Sequence, residues 1–263
     1  AMKSAAFEYH RATTLSDALA CMARYEGQAL WLAGGQSLLA MMNLRLANPP
    51  ALIDIRGIEG LSDIRQTGSV VRIGALCTHQ QLLTSTVIRE CVPLLAQAVP
   101  HVAHLAIRNV GTIGGSLALA DPAAEYPAVV QALNATLIAH GPAGERRIPV
   151  QSYFQGLYQT ALQPHELLTA VEIPVAQAGD LFHFDELSRR RGDYGMVGLA
   201  CASQMRRAPG KPILSTRPRY WPVSESGSAA TCLPRTSPRA SAATTAGPVP
   251  TICCRQLWGP VPR

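Results

Sequence analysis

The first 200 residues alternate short apolar runs with segments of helical spacing, and this alternation constrains the fold more than any other feature. Residues 29–33 (ALWLA) are strand-like and stop at a Gly-Gly pair, after which residues 37–47 (SLLAMMNLRLA) resume a helical pattern. Residues 51–55 and 70–76 are also strand-like. Strands that alternate with helices predict an α+β fold built from α/β-type lobes.

Further helix and strand patterns continue toward residue 174. Apolar side chains recur at helical spacing over residues 15–25. Thr78 and Gln81 have the spacing of a capping box, which predicts a helix over THQQLL. The remaining predicted elements are a helix that ends near Leu133 and strands over residues 136–139, 146–149 and 167–173.

Composition places the chain among globular proteins. It has 263 residues, of which 48% are hydrophobic and 15% charged, enough for one large domain or several lobes. No run of about 18 apolar residues occurs, so no membrane span is predicted. The N-terminal residues lack an apolar region behind Lys3, and the seven cysteines contain no C-x-x-C pair. We therefore expect reduced thiols and a cytoplasmic location.

The net charge of +6 is concentrated at the C-terminus. Residues 203–263 hold nine Lys and Arg against one acid, or +8, whereas residues 1–202 hold fourteen against sixteen, or −2. Ten of the twenty prolines also lie in residues 203–263, which show no helical or strand period. One interpretation is a basic arm for RNA. We favour the other, a disordered or frameshifted segment, and expect no nucleic-acid partner.

Two Gly-Gly pairs, in AGGQS (residues 33–37) and TIGGS (residues 112–116), are the strongest candidates for a ligand site. Glycine lets a ligand approach the backbone and permits turns that aim N–H groups at it. Neither pair belongs to a P-loop or to a G-x-G-x-x-G motif. Each pair alone is consistent with a plain turn, but two of them with flanking hydroxyls suit a diphosphate.

The chain resembles the FAD-binding medium subunit of molybdenum-containing hydroxylases in the stretches LAGGQSLLAMMNLRLANPPALIDI, IGALCTHQQLL and IRNVGTIGGSLALADPAAEYPAVVQALNATL and in VEIP. The resemblance runs from about residue 7 to about residue 200. It implies a two-lobed FAD-binding fold with a small N-terminal α/β lobe (residues 1–55) and a larger second lobe (56–178). A C-terminal lobe would begin at residues 179–202, and residues 203–263 depart from the family as an aberrant or truncated domain.

The resemblance also implies an oxidoreductase subunit that works in electron transfer and carries no catalytic or metal-binding residue of its own. A large partner subunit would hold molybdopterin, and a small partner subunit would hold two-iron two-sulfur clusters. FAD in this chain would pass electrons to an external acceptor, in a dimer of heterotrimers. The alternatives are a stand-alone flavin oxidoreductase and an assembly subunit without flavin.

The resemblance assigns roles to individual positions. Glu125 would bind ribityl hydroxyls, Leu168 would contact the isoalloxazine ring, and Tyr194 would lie on the flavin face; a loop acid, a core leucine and a loop tyrosine are the alternatives. FAD would be bound without a covalent bond to His79. The residues expected to wrap the pyrophosphate are Ala33, Gly34, Gly35, Gln36, Ser37, Thr112, Ile113, Gly114, Gly115 and Ser116.

Overall fold

The computed structural model describes residues 3–208 and 211–222 and contains both helices and strands. The strands are β1 (Glu8–Arg11), β2 (Leu30–Leu32), β3 (Ala51–Asp54), β4 (Ile64–Thr67), β5 (Val70–Gly74), β6 (Thr136–Gly141), β7 (Gly144–Pro149), β8 (Phe154–Gly156), β9 (Gln159–Thr160), β10 (Leu167–Pro174), β11 (Leu181–Ser188), β12 (Gly195–Ala208) and β13 (Lys211–Pro222). The helices are α1 (Leu15–Arg24), α2 (Leu38–Asn43), α3 (His79–Thr84), α4 (Thr86–Cys91), α5 (Pro93–Ala98), α6 (Leu105–Arg108), α7 (Ile113–Leu119), α8 (Glu125–Ala132) and α9 (Val150–Tyr153), with a 3₁₀ turn at Val99–His101. None of the helices in the described residues is both long enough and apolar enough to cross a membrane.

The first sheet has the strand order β1-β3-β2, and both of its pairings are parallel. Parallel strands need a crossover, and α1 and α2 supply the two crossovers. Strand β3 is central, and all four of its residues are buried. One of them is Asp54, whose carboxylate accepts hydrogen bonds from Arg56 and from the Tyr9 hydroxyl at 2.5 Å. The buried charge is therefore paired, as burial requires.

The second sheet is antiparallel, with the order β4-β5-β10-β6-β7. Its central strand β10 has the sequence LLTAVEIP and is buried except at Glu172 and Pro174. Helices α3, α4, α5, α7 and α8 contribute side chains to the same core, which includes the fully buried Tyr126 and Tyr153. This sheet forms the largest apolar core of the described residues, and it supports the candidate site.

The third sheet, β11-β12-β13, continues regular structure past residue 203. Strand β12 pairs with β13 from Val197↔Pro222 to Ala208↔Lys211. We predicted a disordered or frameshifted segment over residues 203–263, whereas residues 203–208 and 211–222 lie in paired strands. A frameshift stays a prediction, because strand pairing does not test it, and residues 223–263 lie outside the described residues.

Most of the predicted elements are present. The strands expected near residues 29–33, 51–55, 70–76, 136–139, 146–149 and 167–173 are β2, β3, β5, β6, β7 and β10. Thr78 and Gln81 make both hydrogen bonds of the capping box that opens α3. The three larger sheets draw their strands from residues 8–54, 64–174 and 181–222. The proposed lobe boundaries at 55/56 and 178/179 separate the same strands.

Candidate functional site

The first glycine turn connects β2 to α2. Gly35 has φ 67°, in the left-handed region that glycine adopts without steric cost. The Gln36 side-chain amide donates to the Gly34 carbonyl at 3.1 Å and braces the turn. Ser37 occupies the N-cap position of α2, but its hydroxyl makes no capping hydrogen bond. The Gln36 side-chain hydrogen bond and the positive φ of Gly35 thus define the shape of this turn.

Three backbone N–H groups of this turn have no hydrogen-bond acceptor among residues 3–208 and 211–222. Within the described residues, the N–H groups of Gly35, Gln36 and Ser37 donate to nothing, while the Gly35 and Ser37 carbonyls accept from Leu39 and Met41 at 3.0 Å each. Successive free donors in a turn form a concave site for an anion. Because α2 has only six residues, these donors matter more than a helix dipole would.

The second glycine turn, residues 112–116, begins helix α7. It differs from the first turn because its N–H groups already donate hydrogen bonds to acceptors inside the protein. Ile113 N–H donates to the Cys77 carbonyl at 3.0 Å, and Gly114 N–H donates to the Ala75 carbonyl at 2.9 Å. Gly115 N–H donates to the Thr112 hydroxyl at 3.1 Å, which caps α7. This turn is therefore anchored to the second sheet.

The glycines of the second turn serve packing as well as access. A Cβ on Gly114 would come within 2.4 Å of the Ala75 Cβ, so Gly114 is required by the fold. Gly115 is exposed, and a Cβ on it would lie 3.0 Å from the Thr112 hydroxyl and 3.9 Å from the Ala33 Cβ. The space in front of Gly115 and beside Ala33 is the part of this turn that a ligand can approach.

The structure brings the two turns together. A Cβ on Gly34 would come within 2.4 Å of the Val110 carbonyl oxygen and 2.8 Å of the Gly111 Cα, so the two backbones are in contact. The free donors of the first turn and the open face of Gly115 thus belong to one surface. A cradle of this kind fits a diphosphate, and the residues present are compatible with the pyrophosphate of FAD.

Glu125 is the first residue of α8, and its side chain is only 8% exposed. The pKa of this carboxyl is raised to about 7, mainly by burial; a hydrogen bond from its own N–H lowers the pKa, and the charges of Glu186 and Asp121 add smaller increases. A carboxyl group in this state can both donate and accept a proton near neutral pH. The loop-acid alternative is wrong in one respect, because the side chain is buried.

Tyr194 lies on the loop before β12 and is 68% exposed. Partial burial, followed by the charges of Asp121 and Glu125, raises the pKa of its phenol. Residues 112–116 of the second glycine turn form the N-cap and the first turn of α7, and Asp121 follows the end of this helix.

Leu168 does not reach a surface in the structure. It is 3% exposed, pairs with Ala139 across the sheet and belongs to the main core cluster. This packing favours its alternative assignment as a core leucine. A β-bulge follows it, between Leu168 and Ala170, and shifts the register of β10 against β6.

His79 is buried beneath the second glycine turn. Its Nδ1 lies 2.9 Å from the Tyr126 hydroxyl, and its Nε2 lies 2.7 Å from where a Gly111 Cβ would stand. Burial, followed by the charge of Arg108, lowers the pKa of His79 to about 4. The ring is thus a neutral packing element that supports the turn.

Two residues near the site escaped sequence reasoning. Glu186, on β11, has a buried Oε2 without a hydrogen-bond partner among the described residues, and burial followed by Asp185 raises the pKa of its carboxyl to about 7. Arg108 lies inside the quoted motif IRNVGTIGG, but nothing in its spacing marked it as special. No group of three His, Cys, Asp or Glu side chains in the described part of the chain could hold a metal ion.

Comparison with known proteins places this site in a family. Residues 5–176 match the model of the FAD binding domain in molybdopterin dehydrogenase. The chain is 42% identical over 199 residues to subunit alpha of the 6-hydroxypseudooxynicotine dehydrogenase complex of Paenarthrobacter nicotinovorans, covering 76% of this chain and 67% of that protein. It is 38% identical to the carbon monoxide dehydrogenase medium chain of Hydrogenophaga pseudoflava over 77% of this chain and 70% of that protein.

Solved structures agree. The chain superimposes on carbon monoxide dehydrogenase from Hydrogenophaga pseudoflava with a TM-score of 0.79 and 37% identity, over 84% of this chain and 76% of that one. Quinoline 2-oxidoreductase from Pseudomonas putida 86 gives a TM-score of 0.77 and 36% identity, over 83% and 75%. The two glycine turns and the matched domain together show that the chain belongs to the family of FAD-binding medium subunits of molybdenum-containing hydroxylases, which are oxidoreductases.

Proposed function

We propose that this chain is the electron-transfer subunit of a heterotrimeric molybdenum hydroxylase. It would hold FAD between the iron–sulfur clusters of a small partner subunit and an external electron acceptor, while a large partner subunit would hold molybdopterin and oxidise the substrate. A dimer of such heterotrimers is the assembly we expect. The observation that carries the proposal is the contact between a turn with three free N–H donors and a second, anchored turn.

The polypeptide would act by binding and orientation. Gly35, Gln36 and Ser37 would donate their free N–H groups to the pyrophosphate, which the exposed face of Gly115 admits. Ala33, Gly34 and the segment from Thr112 to Ser116 would shape the cradle around it. Bound FAD would supply the redox chemistry, which amino-acid side chains do not provide.

Glu125 and Tyr194 would act at the other end of the site. Because its pKa is about 7, the Glu125 carboxyl is partly protonated at neutral pH. It can therefore accept a hydrogen bond from a ribityl hydroxyl or donate one. The exposed ring of Tyr194 would cover one face of the isoalloxazine and limit the access of water. We propose no catalytic contact for Leu168, because its side chain is in the core.

A stand-alone flavin oxidoreductase is the second candidate. Such an enzyme needs an acid or base beside the ring, and Glu125, with a pKa of about 7, would serve if the ring and not the ribityl chain lay next to it. An assembly subunit without flavin would have no use for the free donors of the first turn.

One purification separates the three candidates. The tagged chain, recovered from its native host, should bring two further subunits with it, together with iron, molybdenum and one FAD per chain. The isolated chain should keep flavin that added substrate does not reduce. A colourless complex would indicate the assembly role. Reduction of the flavin in the isolated chain by substrate alone would indicate the stand-alone enzyme.

A further inference from the structure

Arg108 makes two hydrogen bonds that no sequence pattern announced. It is the last residue of α6, and its Nη1 donates to the Val102 carbonyl at 3.1 Å and to the Ala103 carbonyl at 2.8 Å. Hydrogen bonds from a charged donor are stronger than those between neutral groups. Arg108 therefore fixes the backbone that leads into α6.

The Ala103 carbonyl, which accepts a hydrogen bond from Arg108, also contacts the loop between β11 and β12. This loop, residues 189–194, is called the Tyr194 loop below. Ala103 has φ 45°, an angle that non-glycine residues seldom adopt. Gly192 has φ 87°, and a Cβ on it would come within 2.7 Å of the Ala103 oxygen. Two residues later in the chain comes Tyr194. The position of Ala103 therefore limits where the Tyr194 loop can lie.

The segment that follows α6 contacts the first glycine turn. Ile107 accepts hydrogen bonds from the N–H groups of Val110 at 3.1 Å and Gly111 at 2.7 Å, which closes the end of the helix. Gly34 packs against the Val110 carbonyl. The short helix α6 thus joins Val110, which contacts the first glycine turn, to Ala103, which contacts the Tyr194 loop.

We propose that Arg108 is a positioning residue that holds the Tyr194 loop at a fixed distance from the first glycine turn. It acts through the Ala103 carbonyl and Gly192. The inference rests on the proposed function in one respect, that Tyr194 covers the flavin. The contact chain itself requires no ligand.

The first experiment reads the loop directly. Trypsin should cut the loop at Arg189, Arg190 and Arg191 in the purified complex, and mass spectrometry gives the rate. Arg108→Gln should accelerate this cleavage about tenfold, because the loop opens more often when its support is lost. Gly192→Ala should have a similar effect, because its methyl would come within 2.7 Å of the Ala103 oxygen and push the loop away. Arg108→Lys should restore part of the protection, because lysine can still donate to a carbonyl.

Arg89→Gln is the matched control, because Arg89 also lies in the last turn of a short helix. It should leave the loop as resistant as in the wild type. If Arg108→Gln destabilises the whole chain, cleavage rises at every site; Arg108→Lys then tests the role of Arg108, and Gly192→Ala tests the contact between the loop and Ala103. Cleavage within about twofold of wild type in Gly192→Ala, or in a folded Arg108→Gln variant, overturns the proposal.

The second experiment reads Tyr194. A tyrosine stacked on flavin quenches its fluorescence, so Tyr194→Leu should raise the fluorescence per bound FAD. Arg108→Gln should raise it similarly, and the double variant should show no further rise, because both changes remove one interaction. Additive rises would overturn the inference. If Tyr194→Leu leaves fluorescence unchanged, the assigned role of Tyr194 fails, while the trypsin rates still decide the role of Arg108.

Discussion

Gly34 and Val110 are in backbone contact: a Cβ on Gly34 would come within 2.4 Å of the Val110 carbonyl oxygen. This contact joins two glycine motifs that are far apart in the sequence and fixes the first turn against the segment leading into the second. The first turn therefore cannot be moved without disturbing the second. A substitution at Gly34 would therefore alter the packing of both turns as well as any ligand contact.

Gly35→Ala should abolish FAD retention in the purified chain. Its φ of 67° is unfavourable for any residue with a Cβ, and the new methyl would lie 3.1 Å from the Leu32 and Leu39 side chains. We expect a loss of about 1 kcal/mol in stability together with a displaced turn. Gly68→Ala is the control, since Gly68 has φ 58° and no atom within 4 Å of its Cβ position. Equal flavin content in both variants would contradict the site.

Gly115→Ala tests the cradle with little effect on the fold. The added methyl faces open space except for the Thr112 hydroxyl at 3.0 Å. We expect the melting temperature to stay within a few degrees of wild type and FAD affinity to fall at least tenfold, a change of about 1.4 kcal/mol. Gly114→Val is expected instead to destabilise the whole chain, because its side chain would meet Ala75. Titration with FAD, followed by fluorescence, separates the two outcomes.

The stability of the chain should depend on pH through Glu125. The unfolded carboxyl has a pKa of 4.5 and the folded one a pKa of about 7, so the folded state keeps a proton that the unfolded state releases. The stabilisation is complete below pH 4.5 and is lost as pH rises through 7, amounting to roughly 3 kcal/mol. Urea denaturation at pH 5 and pH 8 should show a smaller loss in Glu125→Gln than in wild type, and the loss that remains is expected from Glu186, whose pKa is also about 7. Equal losses in both proteins would exclude Glu125 as the source.

Flavin should leave the protein on denaturation. His79 is 5% exposed and engaged with Tyr126, and burial raises the pKa of the Cys77 thiol to about 11, so neither is available as a nucleophile. Acid precipitation of the yellow protein should therefore give a colourless pellet and a yellow supernatant. A peptide containing residues 77–79 with the added mass of FAD would reverse this conclusion.

The sequence was informative where local chemistry decides structure. The capping box at Thr78 and Gln81 and the strand before Gly34 follow from side chains close in the chain, and both are present. Strand β1 (EYHR) was missed, because its side chains are mostly exposed and lack an apolar run. Pairing with the buried β3 creates this strand, and that partner is remote in sequence.

The candidate site was predictable as a set of motifs but less so in its roles. Gly114 was assigned to phosphate binding, but a Cβ on it would meet Ala75. Ala75 directly follows β5 and is distant from Gly114 in the sequence, so no local pattern indicates this contact. Leu168 has the same sequence signature as a cofactor contact or a core residue, and only burial distinguishes them. The bonds of Arg108 depend on the left-handed Ala103, a conformation that no local pattern indicated.

The internal hydrogen bonds of the second glycine turn have a consequence for the entropy of binding. The N–H groups of Ile113, Gly114 and Gly115 are hydrogen-bonded inside the protein, so their amide hydrogens should exchange slowly whether or not FAD is bound. Those of Gly35, Gln36 and Ser37 should exchange fast until FAD binds. Almost all of the backbone conformational entropy lost on FAD binding would then be lost in the first turn, because the second turn is already ordered before the cofactor binds.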